Sequence, residues 1–373
     1  MIYLDYAANT PAHEQVINTF NETSKLFIAN PNSTHKLGRM AAERLKESTI
    51  KIASLLGVLE NEVIFTSGAS ESNNMAIKGS AYHNKRYGKH IITTFLEHSS
   101  VNGAVAYLQN NGYEVDYVEI TPDGLIDLES LKSMIRDDTV LVSICYVDSE
   151  VGLTQRIDEI GKIIKNYPHC VFHVDATQAV GKIPVNFQYA DLITFAPHKF
   201  YGLNGCGVLI KKENVMLEPL IHGGISTTAF RSGTPALGMI AATEKALELA
   251  FLNLNDKYNY VKSINEILMK ELIKYPNVKI NSNENSIPFI LNISISKVNT
   301  EQFKLELESY DIYVSTKSAC CAPNTASRPV YAMTKDRKRA LSTLRISLSH
   351  LTTREEINMF LEAFDKCYKK SFN

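Results

Sequence analysis

The chain has 373 residues, 45 % of them hydrophobic and 21 % charged, an ordinary globular composition but more chain than one core usually organises. Lys plus Arg (39) nearly balances Asp plus Glu (40), so no global charge draws it to nucleic acid or an anionic membrane, and neither is expected as a direct partner. No apolar run could span a bilayer, and MIYLDYAANT lacks the basic and apolar regions of a signal peptide, so the expected location is the cytoplasm.

In chain order, a helix is predicted over 11–27, with Thr10 as its cap and Pro11 at its first position. Residues 29–39, ANPNSTHKLGR, read as a loop of turn formers; helical apolar spacing resumes over 40–56 and stops at Gly57. Strands are predicted at 63–65, 91–94, 115–118, 140–145, 170–174, 192–195 and 207–210, with helices near 70–86, 99–110, 127–136 and 157–166 between the earlier ones. That alternation predicts an α/β fold: a mainly parallel sheet with helices on both faces. After RSGTPALG one long helical pattern covers 240–275. Strands at 288–294, 312–315 and 344–348, helices at 300–309 and from Thr353, and a loop then a helix between 315 and 344 suggest an α+β lobe. The expected division is a large cofactor-binding domain over 13–250 and a smaller domain over 251–373.

Six cysteines in a chain this long do not make a disulfide framework. Cys145, Cys170 and Cys206 stand in apolar strand-like runs and Cys367 on an amphipathic helix, all expected to be packing residues. Only Cys320 and Cys321 lie in a small, polar, loop-like context. Adjacent cysteines with no second pair give no zinc spacing, so no metal is expected.

The residues with chemistry to offer stand at predicted strand ends. FTSGASESNN, beginning at Phe65, is a strand, a glycine turn and a helix start, where the N–H groups of Ala69 and Ser70, the Ser70 hydroxyl and the helix dipole suit a phosphate. The apolar run ending at Asp175, with Gln178 three residues on, and the run ending before His198 and Lys199 place a carboxylate and an amine at the carboxyl edge of the sheet, where open α/β sheets collect ligands. That pair suits pyridoxal phosphate: the lysine forms a Schiff base and the acid keeps the pyridine nitrogen protonated. An amide at Gln178 can donate to the ring's phenolic oxygen.

HVDATQAVGKIP, HKFYG, HGG and RSGT, with LDYAANTP near the start and LRISLSHLTTREEI near the end, resemble the cysteine desulfurases of the class V aminotransferase family, over almost the whole chain. The resemblance implies a fold type I pyridoxal-phosphate enzyme, with residues 1–12 packing near the small domain. His98 in FLEHSSV would stack on the cofactor ring and serve as acid or base, and imidazole has the flat face and near-neutral pKa for both. His198 would contact the phosphate, and Thr234 in RSGT would reach the phosphate of a neighbouring subunit, implying a homodimer. Arg345 would grip the α-carboxylate of L-cysteine, for which a bidentate guanidinium is the physical fit. The SAC signature places the nucleophile at Cys320, whose thiolate would take the substrate sulfur as a persulfide, leave L-alanine and deliver sulfur to an acceptor protein. The segment from Cys320 to Arg345 fits the subgroup with an extended loop. The acceptor, in iron–sulfur cluster assembly, tRNA thiolation or another route, is not encoded in these motifs.

The pattern is broken in places. Ser149, in YVDSEVG, replaces an asparagine that usually lies beside the cofactor ring; Ala196 replaces a serine that usually donates to the phosphate; Asn9 replaces a threonine; and Cys321 doubles the cysteine. These changes leave three other reactions of the same cofactor open: selenocysteine lyase, cysteine desulfhydrase or aminotransferase. From a different class, a non-catalytic sulfur carrier or scaffold also remains.

Overall fold

In the computed structural model, which describes residues 1–317 and 325–372, twelve strands form three sheets. They are β1 (Ile2–Tyr3), β2 (Val63–Thr66), β3 (His90–Thr93), β4 (Glu114–Tyr117), β5 (Thr139–Cys145), β6 (Val171–Asp175), β7 (Leu192–Phe195), β8 (Gly207–Lys211), β9 (Val278–Ile280), β10 (Ile290–Ile295), β11 (Ile312–Tyr313) and β12 (Thr343–Ser347). The largest sheet runs in the order β2-β8-β7-β6-β5-β3-β4. Only β8 is antiparallel to its neighbours, so the sheet is mainly parallel, as the alternation predicts. β8 reverses because the short link from β7 has no room for a crossover helix. The parallel strands β5, β6 and β7 are buried along their whole length, the pattern of strands covered on both faces.

A second, antiparallel sheet has the order β9-β10-β12, and β1 pairs in parallel with β11. One continuous apolar cluster extends from Ile2 and Leu4 through the central strands to Phe360 and Phe364 of the last helix. Cys145, Cys170, Cys206 and Cys367 are all buried within the protein, where they act as small apolar fillers. Among the described residues no helix is long and apolar enough to cross a membrane.

Several local expectations are corrected. The first helix is Glu14–Leu26, capped by the His13 side chain, which accepts from Gln15 N. Thr10 is not its cap: its hydroxyl donates to the His198 carbonyl (2.9 Å) and accepts from Tyr201 N (2.7 Å), tying the N-terminal segment to the Lys199 turn. The single helix expected over 240–275 is two, Leu237–Phe251 and Leu254–Leu272. Asn253 breaks it in a left-handed conformation (φ 54°), which asparagine tolerates better than most residues. The one helix expected after the loop, before the 344–348 strand, is two, Arg328–Thr334 and Arg337–Leu341. Ser327 and Asp336 cap these two helices, and Val330, Ala332, Met333 and Ala340 anchor them in the core.

Candidate active site

The carboxyl ends of β2, β3, β5, β6 and β7 open onto one cavity of about 400 Å³. Ala69, Ser70, His98, Ser149, Asp175, Gln178, His198, Lys199 and Arg345 all border it. Strand β2 delivers the turn Ser67–Gly68 and the helix Ala69–Asn84, whose N-terminus has no side-chain cap. Its first-turn N–H groups therefore face the cavity as donors. Gly207 makes this approach possible, since a Cβ there would sit 2.3 Å from the Gly68 carbonyl carbon. Glu71 lies in the same turn, accepting from Ser67 N (2.7 Å) and from Arg231 Nε (2.9 Å). Burial would raise its pKa, but Arg231 and Ser67 outweigh burial and hold it below the ordinary value.

Asp175, the last residue of β6, is held on both oxygens: Asn73 Nδ2 donates to Oδ2 (2.9 Å) and Thr177 N to Oδ1 (3.0 Å). His98, beyond β3, caps the helix Ser99–Asn110 and also faces the cavity. Its Nδ1 accepts from Ser100 N (3.2 Å), which leaves the ring proton on Nε2. Burial lowers its pKa, Asp175 opposes that shift and Lys199 adds to it. After β7, the turn Pro197–Lys199 presents His198, pushed down to about 4 by burial and by Lys199 and Lys182; it therefore acts as a neutral hydrogen-bonding group. Lys199 Nζ donates to the Ala8 carbonyl at 2.5 Å.

Arg345 enters from β12 in the other sheet and is almost fully buried. Nη2 donates to Asp5 (2.8 Å) and Nη1 to the Ser149 carbonyl (2.8 Å), while Nε is buried with no hydrogen-bond partner. Ser149 thus holds Arg345 through its main chain, a contact the side-chain replacement leaves intact. Ala196 is fully buried, and its carbonyl accepts from Lys199 N. Thr177 Oγ1 is a second buried polar atom without a partner, on a residue that also borders the cavity. Unsatisfied donors of this kind are costly in an apolar interior. Together with the uncapped helix and the amine they fit a ligand with phosphate and carboxylate groups, as pyridoxal phosphate joined to an amino acid is.

Thr234 is exposed and outside the cavity, with Asn30 Nδ2 3.5 Å from its hydroxyl. Cys320 and Cys321 lie outside the described residues. The flanks of that segment meet: Lys317 Nζ donates to the Thr325 carbonyl at 2.7 Å. A neighbouring cavity of about 400 Å³ is bordered by Thr325 and Arg328 and shares His98 and Ser149 with the first. Among the described residues no cluster of three or more metal-ligating side chains occurs. The sequence reading missed Asp5, Asn73, Thr177 and Ser100, which position or supplement the cavity groups. Asn73 carried a faint signal, being a poor helix former in the middle of a helix.

The family described as Aminotransferase class-V matches residues 2–360. A "NifS/IcsS protein homolog" of Lactobacillus delbrueckii subsp. bulgaricus is 39 % identical, covering 99 % of this chain and 97 % of that protein. A "Cysteine desulfurase IscS" of Dictyoglomus turgidum is 36 % identical over 99 % of this chain and 95 % of its own. A solved "NIFS-LIKE PROTEIN" superposes with a TM-score of 0.93 at 32 % identity, covering 99 % of both chains.

Proposed function

Because the chain belongs to the aminotransferase class-V family, we propose that it is a pyridoxal-phosphate-dependent cysteine desulfurase, taking sulfur from L-cysteine, leaving L-alanine and loading a persulfide on Cys320. One observation carries the reading: an amine, a doubly held carboxylate, an uncapped helix N-terminus and a buried guanidinium with an unpartnered Nε–H converge on a single cavity.

When bound, pyridoxal phosphate supplies an electron sink that stabilises negative charge at the substrate Cα. Lys199 would hold the cofactor through Nζ, and its amine would carry the substrate Cα proton. Asp175, fixed by Asn73 and Thr177, keeps the ring nitrogen protonated, and Gln178 donates to the ring oxygen. Ala69, Ser70 and neutral His198 hold the phosphate by hydrogen bonds. His98 offers a flat face and a proton on Nε2, and Arg345 takes the substrate carboxylate. The Cys320 thiolate attacks the substrate sulfur. The S–S bond forms as the C–S bond breaks, and the carbon keeps the electron pair and takes up a proton to leave alanine. Thr234, exposed on a single chain, serves the phosphate of a second copy in a cytoplasmic homodimer. An acceptor protein takes the sulfur onward.

One equivalent of L-cysteine should give alanine and an extra sulfur on Cys320, located by peptide mass spectrometry. Cys320→Ser should lose both products yet keep the yellow colour and the spectral response to cysteine, whereas Cys321→Ser should keep most of the first turnover. Pyruvate or free sulfide in place of alanine would assign a different reaction of the same cofactor. A protein that stays colourless with added pyridoxal phosphate would leave only a carrier or scaffold role.

A further inference from the structure

Lys182 is a buried lysine that the proposed chemistry leaves without a task. Successive turns, with Val180 N on the Ala176 carbonyl (3.0 Å) and Ile183 N on the Ala179 carbonyl (3.1 Å), coil residues 176–183 so that positions 178 and 182 share a face. Gly181, at φ +76°, lets this coil press against the Lys199 turn; a Cβ there would lie 2.8 Å from the Phe200 Cβ. Lys182 Nζ donates to Gln178 Oε1, and Gln178 Nε2 donates to the Ala7 carbonyl at 2.9 Å. While charged, below about pH 7, the Lys182 amine donates and cannot accept, so it meets only the oxygen end of the amide. The NH₂ end is thereby left at the cavity, with one N–H on Ala7 and one to spare. Burial pushes the amine down to about 7, and Lys199 and Arg345 add to that shift.

We propose that Lys182 is a positioning residue: it locks the Gln178 carboxamide with Nε2–H turned into the cavity, as the donor to the ring oxygen of the cofactor, and so sets the pH at which the cofactor–Lys199 linkage titrates. The inference rests on the pyridoxal phosphate reading of the cavity. Without Lys182 only the Ala7 carbonyl still holds that orientation, so the amide turns over more readily and sets a lone pair against an anionic oxygen. The charged and titratable groups around Lys199 include Lys182, His198, His98, Arg345 and the carboxylate Asp175, and, on a second cavity that Lys182 and Lys199 both border, Tyr6, His13, Tyr201, Lys257 and His350, so a through-space charge effect of Lys182 must be separated from its hold on Gln178.

The test is a pH titration of the visible absorption band of the loaded holoenzyme. Lys182→Met should raise the midpoint by about one pH unit, the worth of a lost hydrogen bond to a charged oxygen, and Lys182→Arg should bring it most of the way back. Gln178→Leu should raise it similarly, and adding Lys182→Met to that variant should change little more. An unmoved midpoint in folded Lys182→Met holoenzyme overturns the proposal, as does an equal further shift in the Gln178→Leu background, which would show Lys182 acting as a charge alone. Should Lys182→Met not fold, Lys182→Gln, too short to reach Oε1, must give the same upward shift or the proposal fails. If the unmodified protein shows no visible band that borohydride fixes onto Lys199, the cofactor reading falls instead, and the two failures are distinct.

Discussion

Glu97, the residue before His98, carries a buried carboxyl group. Its Oε1 accepts from Cys145 N (2.9 Å) and the Thr94 hydroxyl (2.8 Å), and Oε2 is buried with no partner. Burial pushes its pKa up to about 8, and Asp175 adds to that against the opposing hydrogen bonds. Its ordinary value is 4.5, so between about pH 4.5 and 8 the native state holds a proton that the unfolded chain has released. Stability therefore falls as pH rises through that window, at up to about 1.4 kcal/mol per pH unit. Glu97→Gln keeps the acceptor and removes the titration, so the variant should gain on the parent protein steadily from pH 5 to pH 8 in urea unfolding. Parallel stability curves would show that Glu97 is already ionised. The residues legible in the sequence are those whose role is written locally: Asp175 and Gln178 after an apolar run, Lys199 after another. Asp5 on Arg345 and Asn73 on Asp175 were not legible, since each pair joins distant segments and neither partner has a local signature.

Among the elements, the strands of the main sheet were readable because their apolar runs are short, β-branched and bounded by turns. The break at Asn253 was not, since apolar periodicity continues through it and only a backbone angle marks it. A helix before the 344–348 strand was readable, but the caps at Ser327 and Asp336 that split it into two were not picked out. The close approach of β8 to the Ser67–Gly68 turn was equally hidden, because it is a contact between two glycines, Gly207 and Gly68, with no side chain to announce it. Gly207→Ala must displace that turn and the first N–H groups of the helix behind it. We expect cofactor affinity to fall at least about tenfold, equivalent to one lost hydrogen bond to a charged group, with the fold retained by circular dichroism. Equilibrium dialysis of pyridoxal phosphate measures it, and unchanged affinity would mean that β8 shifts instead.

Across the whole molecule, the first nine residues act as a tie between the sheets. Ile2 and Tyr3 pair with Ile312 and Tyr313, Asp5 holds Arg345 and Ser315, Ala7 N donates to Ser347 Oγ, and the Ala7 and Ala8 carbonyls accept from Gln178 and Lys199. A chain lacking residues 1–9 should keep its main sheet but lose bound cofactor on dialysis far faster than the full chain; equal loss rates would mean that the cavity floor is dispensable. The same tie has a consequence during synthesis. Ala7 leaves the ribosome 340 residues before its partner Ser347, a delay of roughly 20 to 70 s at ordinary translation rates. The strand partners Ile312 and Tyr313 and the cavity contacts to Gln178 and Lys199 are made earlier, but Arg345 and its bond to Asp5 are missing for nearly all of that interval. A ribosome stalled before the last strand would hold a chain whose cavity lacks Arg345, and we expect it to retain pyridoxal phosphate less well than the finished chain however complete its main sheet.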